Sequence, residues 1–318
     1  MRKRDRNKLT HRWLSLSLFL ALLGLTMFEL PSEAHPITPI PSQRMIQTIM
    51  VPYAGINRPV SLYVPTGYRS GTPVPLLFAL HGGNQDASTM YAPDHRITEY
   101  AETEGFIAVF PNGLPQPGAP PNSMSYFWED PVNIGYMDHL IDLMMTRFTI
   151  DTHRIYFIGF SGGARLTYRL ASDPQISARI AAIATMAGDI GSKLTEPPTS
   201  AWEVHDPSVS SGVPMSAMIL QGGNDVKLPA AGGFSEDFDR IGLSFQVKVD
   251  IWRLFLNATN SSSITLPLAP SRVQAMAYTN PTTRQTVIST LDPTLPHKWP
   301  EWNYMGVIWD FFKRQPTG

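Results

Sequence analysis

The sequence predicts an α/β fold, a mostly parallel central sheet with helices on both faces, and three observations carry that expectation. Short apolar runs alternate with segments of helical periodicity. The runs are nearly continuous in apolar residues, as strands covered on both faces require. One of them ends in a glycine-flanked serine that opens a helical pattern. At 318 residues, 43% hydrophobic and 16% charged, the chain can bury a large core, and it contains no Pro/Ser/Gly linker long enough to separate a pair of domains.

The elements follow in chain order. Residues 1–34 stand apart: six Lys/Arg in the first twelve residues precede an apolar run from Trp13 to Phe28, and Ser32-Glu33-Ala34 suits cleavage before His35. This is the form of an export signal, with an uncleaved anchor as the competing reading. Residues 35–318 are then expected to form one catalytic domain outside the cytoplasm, extracellular or periplasmic, with no stable membrane insertion once the leader is cut. "MIQTIMV" (45–51) and "SLYV" (61–64) read as an opening strand pair. "PLLFALH" (75–81), "FIAVF" (106–110), "IYFIGF" (155–160), "IAAIATM" (180–186) and "SAMILQG" (216–222) read as buried strands. Between the second and third of these, Ile134, Met137, Ile141, Met145 and Phe148 recur at helical spacing and predict a core-facing stripe. "MAYTN" and "QTVIST" suggest a last pair of strands, and Met305, Ile308, Trp309 and Phe312 mark a closing amphipathic helix. Two Pro-rich stretches, 111–131 and 196–214, break the alternation and are expected to rim a cleft.

Charge and cysteine content narrow the function classes. Without residues 1–34 the chain carries 19 Lys/Arg against 23 Asp/Glu, a net charge of −4, so nucleic acid is not an expected partner. The absence of cysteine excludes disulfides, thiolate metal sites and a cysteine nucleophile.

Gly159-Phe160-Ser161-Gly162-Gly163 fits G-x-S-x-G at the end of a buried-type strand and the start of a helix. That turn projects a serine hydroxyl away from its neighbours, and side chains beside it would collide with the strand or helix. Ser161 is therefore the expected nucleophile, and the Gly162 amide at the helix start an oxyanion donor. A serine hydroxyl needs a base. Only His205 and His297 follow it; His297 is preferred because it lies directly after the last strand pair, in "LDPTLPHKWPEW", whereas His205 sits in a Pro/Ser-rich loop with no strand before it that could present an acid. The acid should sit just past a strand between serine and base, which selects Asp225 in "SAMILQGGNDVKLP" over Asp189, Asp206, Glu236 and Asp237. The His81-Gly82-Gly83 turn after the strand at 75–81 can add a second oxyanion amide, from Gly83, with His81 itself structural. Trp128 and Trp299 lie in segments expected around the site. They are candidates for an apolar substrate shelf, with packing as the competing role.

At this point the chain resembles the polyhydroxybutyrate depolymerase and feruloyl esterase group of secreted α/β-hydrolase esterases, which also includes acetyl xylan esterases. The resemblance spans nearly all of residues 35–318 and is carried by "YVPTGY", "PLLFALHGG", "EGFIAVFPNG", "IDTHRIYFIGFSGGARLTYRLA", "NDVKLPAAGG", "HKWPEW" and "IWDFFKR". It implies the same nucleophile, acid, base and oxyanion turn. It also implies a small or polymeric ester as substrate, cleaved through an acyl-enzyme without metal or organic cofactor. Three departures stand out: Gln221-Gly222 where the group usually has His-Gly, Leu295-Pro296 before His297 where Gly-Gly is frequent, and no cysteine where many members carry some. A serine peptidase on the same scaffold and a non-catalytic envelope binding protein are the rival classes.

Overall fold

The computed structural model describes residues 45–115, 126–128, 132–194, 203–204, 212–235 and 240–315. The expected leader, His205, Asp206, Glu236, Asp237 and most of the two Pro-rich stretches lie outside the described residues. Ten strands form one sheet: β1 (Gln47–Tyr53), β2 (Ile56–Tyr63), β3 (Val74–Leu80), β4 (Ile107–Pro111), β5 (Ile150–Phe160), β6 (Ala182–Met186), β7 (Ser216–Gly222), β8 (Asn260–Ile264), β9 (Gln274–Thr279) and β10 (Thr286–Asp292). Their spatial order is β1-β2-β4-β3-β5-β6-β7-β10-β9-β8. The six central strands run parallel, and an antiparallel strand pair extends each end.

Sequence patterns account for most of this sheet. Between β1 and β2, Ala54 and Gly55 both adopt positive φ, the backbone of a tight hairpin turn whose twist matches the strands it joins. Parallel neighbours instead need crossovers, which α1 (Ile97–Glu104), α2 (Val132–Arg147), α3 (Gly162–Ser172) and α4 (Phe245–Phe255) supply, while α5 (Tyr304–Lys313) follows the last strand. Side chains alternate along each strand, so the central strands feed two cores. Leu76, Phe78, Phe157, Ile183 and Ile219 meet α2, α3 and α4 on one face, while Leu77, Ala79, Tyr156, Ile158 and Leu220 meet α1 and α5 on the other. On the first face Phe78 stacks on Phe157 with centroids 4.6 Å apart. Each such ring, fully withdrawn from water, contributes roughly 1.5–3 kcal/mol. Helix ends are set by side chains: Ser244 Oγ accepts from the Val247 amide at the start of α4, and Asn303 Oδ1 from the Gly306 amide at the start of α5.

The differences from expectation have local causes. On α2, Met145 is 40% exposed while Leu140 and Met144 are buried, because a 3.6-residue period starting from Met137 and Ile141 carries the stripe through those positions. β5 begins at Ile150, five residues before its apolar run, since Asp151 to Arg154 are polar and partly or fully exposed. β8 is an exposed edge of sequence NSSSI with no apolar alternation to announce it. Helices α1 and α4 are additions to the elements that the sequence predicts.

Candidate active site

The serine turn is held under strain by its surroundings. Ser161 sits at φ 51° and ψ −115°, a conformation costing a non-glycine residue about 1–3 kcal/mol. Its own amide donates to the Met186 carbonyl at 2.9 Å and its carbonyl accepts from the Arg165 amide at 3.0 Å, so strand β6 and helix α3 clamp it from both sides. The glycines nearby are demanded by close approach. A methyl on Gly163 would lie 2.4 Å from the Leu80 carbonyl oxygen and 2.5 Å from that of His81, and one on Gly159 would lie 2.4 Å from the Gly163 oxygen. Helix α3 is thereby drawn tight against the end of β3.

Two loops at the same edge of the sheet bring the other groups in. The loop after β7 and the loop after β10 are laced together by the Gly223 amide on the Asp292 carbonyl at 2.8 Å and the Asn224 amide on the Leu295 carbonyl at 3.1 Å. The second loop is anchored below by Asp292, whose two carboxylate oxygens take the Arg272 guanidinium at 2.9 and 3.0 Å. As a result His297 bridges the site: Nδ1 lies 2.8 Å from Asp225 Oδ2 and Nε2 lies 2.9 Å from Ser161 Oγ. Because an ionised carboxylate only accepts, Nδ1 carries the proton and Nε2 is left to accept from the serine hydroxyl. Asp225 is 3% exposed, and its other oxygen accepts the amides of Lys227 at 3.0 Å and Leu228 at 2.8 Å.

The glycine turn after β3 faces the serine. A methyl on Gly162 would lie 3.2 Å from the Gly83 nitrogen, so the two glycines meet directly. Gly162 is the first residue of α3, where amides lack a partner within the helix. Among the described residues nothing accepts from the Gly83 amide. Behind this turn His81 is fully buried, with Nδ1 2.6 Å from the Gly82 carbonyl and Nε2 accepting the Gly113 amide at 3.2 Å. That pair of partners defines a neutral ring with its proton on Nδ1, and burial pushes its pKa down from 6.5 to about 4. The Trp128 indole N–H donates to the His81 carbonyl at 2.7 Å.

The two tryptophans, candidates for either a substrate shelf or packing, are both buried. Trp128 is 2% exposed and belongs to the core, with its ring 4.6 Å from that of His81. Trp299 is 9% exposed and stacks at 4.5 Å on Tyr304, with Phe160 at 5.6 Å on another side, so it packs the base loop.

No protein-family model matches the chain. A stretch of 153 residues, 48% of the chain, is 31% identical to a bifunctional acetylxylan esterase/xylanase of Neocallimastix patriciarum and spans 21% of that protein's length. Among solved structures, an acetyl xylan esterase from Aspergillus awamori superposes with a TM-score of 0.60 at 14% identity, over 84% of this chain and 99% of the other. A ferulic acid esterase from Anaeromyces mucronatus, in complex with ferulic acid, superposes with a TM-score of 0.54 at 17% identity, over 85% and 90% of the two chains. The fold is that of the α/β-hydrolases. The group named from the motifs is thus the group whose members these relatives are.

In an α/β-hydrolase the carboxyl ends of the parallel strands form one rim, and here β3, β5, β7 and β10 deliver Gly83, Ser161, Asp225 and His297 to it in that chain order. Among the described residues no group of His, Asp or Glu is arranged to hold a metal ion, and no helix is long and apolar enough to cross a membrane.

Two further residues at this rim escape a reading of the sequence alone. Gln221, the penultimate residue of β7, places its side-chain amide 3.3 Å from Asp225 Oδ2, and Lys248 of α4, 2% exposed, donates to Gln221 Oε1 at 3.0 Å. A helical count would have flagged the lysine, since Phe245, Lys248, Val249, Trp252 and Phe255 fall on one stripe of α4.

Proposed function

We propose that the chain is a secreted serine carboxylic ester hydrolase of the polyhydroxybutyrate depolymerase-like or feruloyl esterase-like type, with Ser161 as nucleophile, His297 as base and Asp225 as acid. The observation that carries this reading is the single imidazole within 2.8 Å of a buried carboxylate and 2.9 Å of a strained serine hydroxyl. Ser161 Oγ attacks the ester carbonyl carbon while its proton passes to His297 Nε2, and Asp225 stabilises the imidazolium that forms. The carbonyl oxygen takes up the negative charge between the Gly83 and Gly162 amides, each such donor contributing about 3–4 kcal/mol to lowering the barrier. Collapse expels the alcohol, which receives the proton from Nε2, and leaves an acyl-serine. Water then attacks the acyl carbon, gives a proton to His297 and releases the acid, and the proton returns to Ser161. The cycle uses no group outside the chain except water and substrate.

The names of the similar proteins, an acetylxylan esterase/xylanase, an acetyl xylan esterase and a ferulic acid esterase, support acetylated xylan or phenolic-acid esters as the substrate class. Export rests on the leader-like segment 1–34. The test is covalent labelling by a fluorophosphonate, with hydrolysis of p-nitrophenyl butyrate, methyl ferulate, hydroxybutyrate oligomers and an amide measured in parallel. Labelling lost in Ser161→Ala, together with ester turnover, is the expected result. Absence of labelling in folded wild-type protein points to a binding protein, and amide preferred over every ester points to a peptidase; either outcome overturns the proposal.

A further inference from the structure

We propose that Lys248, acting through Gln221, is a positioning residue for Asp225: the ammonium, the amide, the carboxylate, the imidazole and the serine hydroxyl form one continuous hydrogen-bonded line from helix α4 to the nucleophile. This inference rests on the role given above to Ser161, Asp225 and His297, and adds two residues outside that triad.

The line is directional. Lys248 Nζ donates to the Gly188 carbonyl at 2.9 Å and to Gln221 Oε1 at 3.0 Å. An ammonium can only donate, so it selects the amide oxygen and turns the Gln221 NH2 outward, where it donates to the Leu228 carbonyl at 2.9 Å and reaches Asp225 Oδ2 at 3.3 Å. Leu228 is also the residue whose amide binds Asp225 Oδ1, so glutamine and backbone together hold the acid loop against the strand. Asp225 Oδ2 thus accepts from two sides, from Gln221 and from His297 Nδ1. Without the ammonium, the Gln221 amide could invert and set its oxygen against the carboxylate, repelling it.

Stability alone does not account for a lysine at this position, because a buried cation is costly and an apolar residue of similar length often serves a core as well or better. Burial draws the pKa of Lys248 down to about 8, with the nearby carboxylates Asp189 and Asp225 opposing that fall. At neutral pH the side chain therefore remains mostly charged. Its positive charge attracts the Asp225 carboxylate and fixes the amide orientation that steadies it.

The experiment compares the full chain with Lys248→Met, Gln221→Leu and the double variant, using p-nitrophenyl butyrate. Each single change is expected to lower kcat about tenfold with KM within about twofold, since the groups lie behind the acid and touch neither His297 nor Ser161. Because a positive charge is removed from behind the Asp225–His297 pair, the acid limb of the kcat/KM profile is expected to move to higher pH in Lys248→Met. The double variant should lose no more than the worse single, as members of one line do. Unchanged kcat with an unmoved acid limb in both singles overturns the proposal. So does a loss of activity that merely parallels a lowered melting temperature, with the limb unmoved. If Lys248→Met does not fold, Gln221→Leu carries the kcat and KM test alone. A Ser161→Ala control separates the two levels: turnover surviving in it defeats the triad reading, whereas a dead Ser161→Ala beside undisturbed Lys248 and Gln221 variants defeats this inference only.

Discussion

Acid should unfold this protein through His81 before most carboxylates respond. The buried imidazole is held neutral, with a pKa of about 4 against 6.5 in an exposed chain. Between those values the unfolded chain takes up a proton that the folded one refuses, so acidification favours unfolding; stability is lost as pH falls from 6.5 toward 4 and no further below it. At 1.36 kcal/mol for each decade, that gap amounts to about 3 kcal/mol. The structure says why the proton is refused. The ring is fully buried, and Nε2 already accepts the Gly113 amide at 3.2 Å, so protonation would set two donors face to face. Urea unfolding of wild type and His81→Gln at pH 7, 6, 5 and 4 is the assay. The glutamine can still donate and accept but does not titrate. The stability difference between the two proteins should shrink by about 3 kcal/mol across the series. A difference flat to within about 0.5 kcal/mol would refute the buried neutral imidazole.

Two further changes probe the same rim. Trp128→Phe removes the donor that reaches the His81 carbonyl at 2.7 Å, leaving a buried acceptor unpaired at a cost of about 1–3 kcal/mol. Calorimetry should show a lower melting temperature, and kcat should fall with KM little changed because the Gly83 amide is no longer braced; a variant that melts and turns over like wild type would return Trp128 to simple packing. Gly163→Ala places a methyl 2.4 Å from the Leu80 oxygen, against backbone that cannot rotate away, and overpacking of this kind costs about 1–3 kcal/mol or more. Its fluorophosphonate labelling should slow as α3 is pushed off β3, and unaltered labelling with unaltered stability would contradict the close approach.

Much of this architecture is legible because its signals are local. A run such as PLLFAL reads as a strand covered on both faces, and Gly-Phe-Ser-Gly-Gly after IYFI makes a tight strand-to-helix passage if helix and strand nearly touch. The approach of Gly159 on β5 to Gly163 on α3, and of Gly163 to Leu80 on β3, shows that they do. Edge strand β8 is not legible, since NSSSI carries no alternation and pairs only because β9 offers it an edge. Helix α4 is readable only if the helical count runs through Lys248, a residue that apolar patterning assigns to solvent.

For the site, residue types and chain order are readable, and distances are not. Sequence by itself determined the parallel sheet, the serine turn and the short list of carboxylates and histidines that follow it, because apolar periodicity and glycine placement act over a few residues. Only the tertiary structure decided that Asp225 and His297 meet, that Trp128 braces a turn, and that Lys248 stands behind the acid. These depend on two loops 70 residues apart being stitched together by backbone hydrogen bonds such as Asn224 to Leu295, a pairing no local pattern encodes.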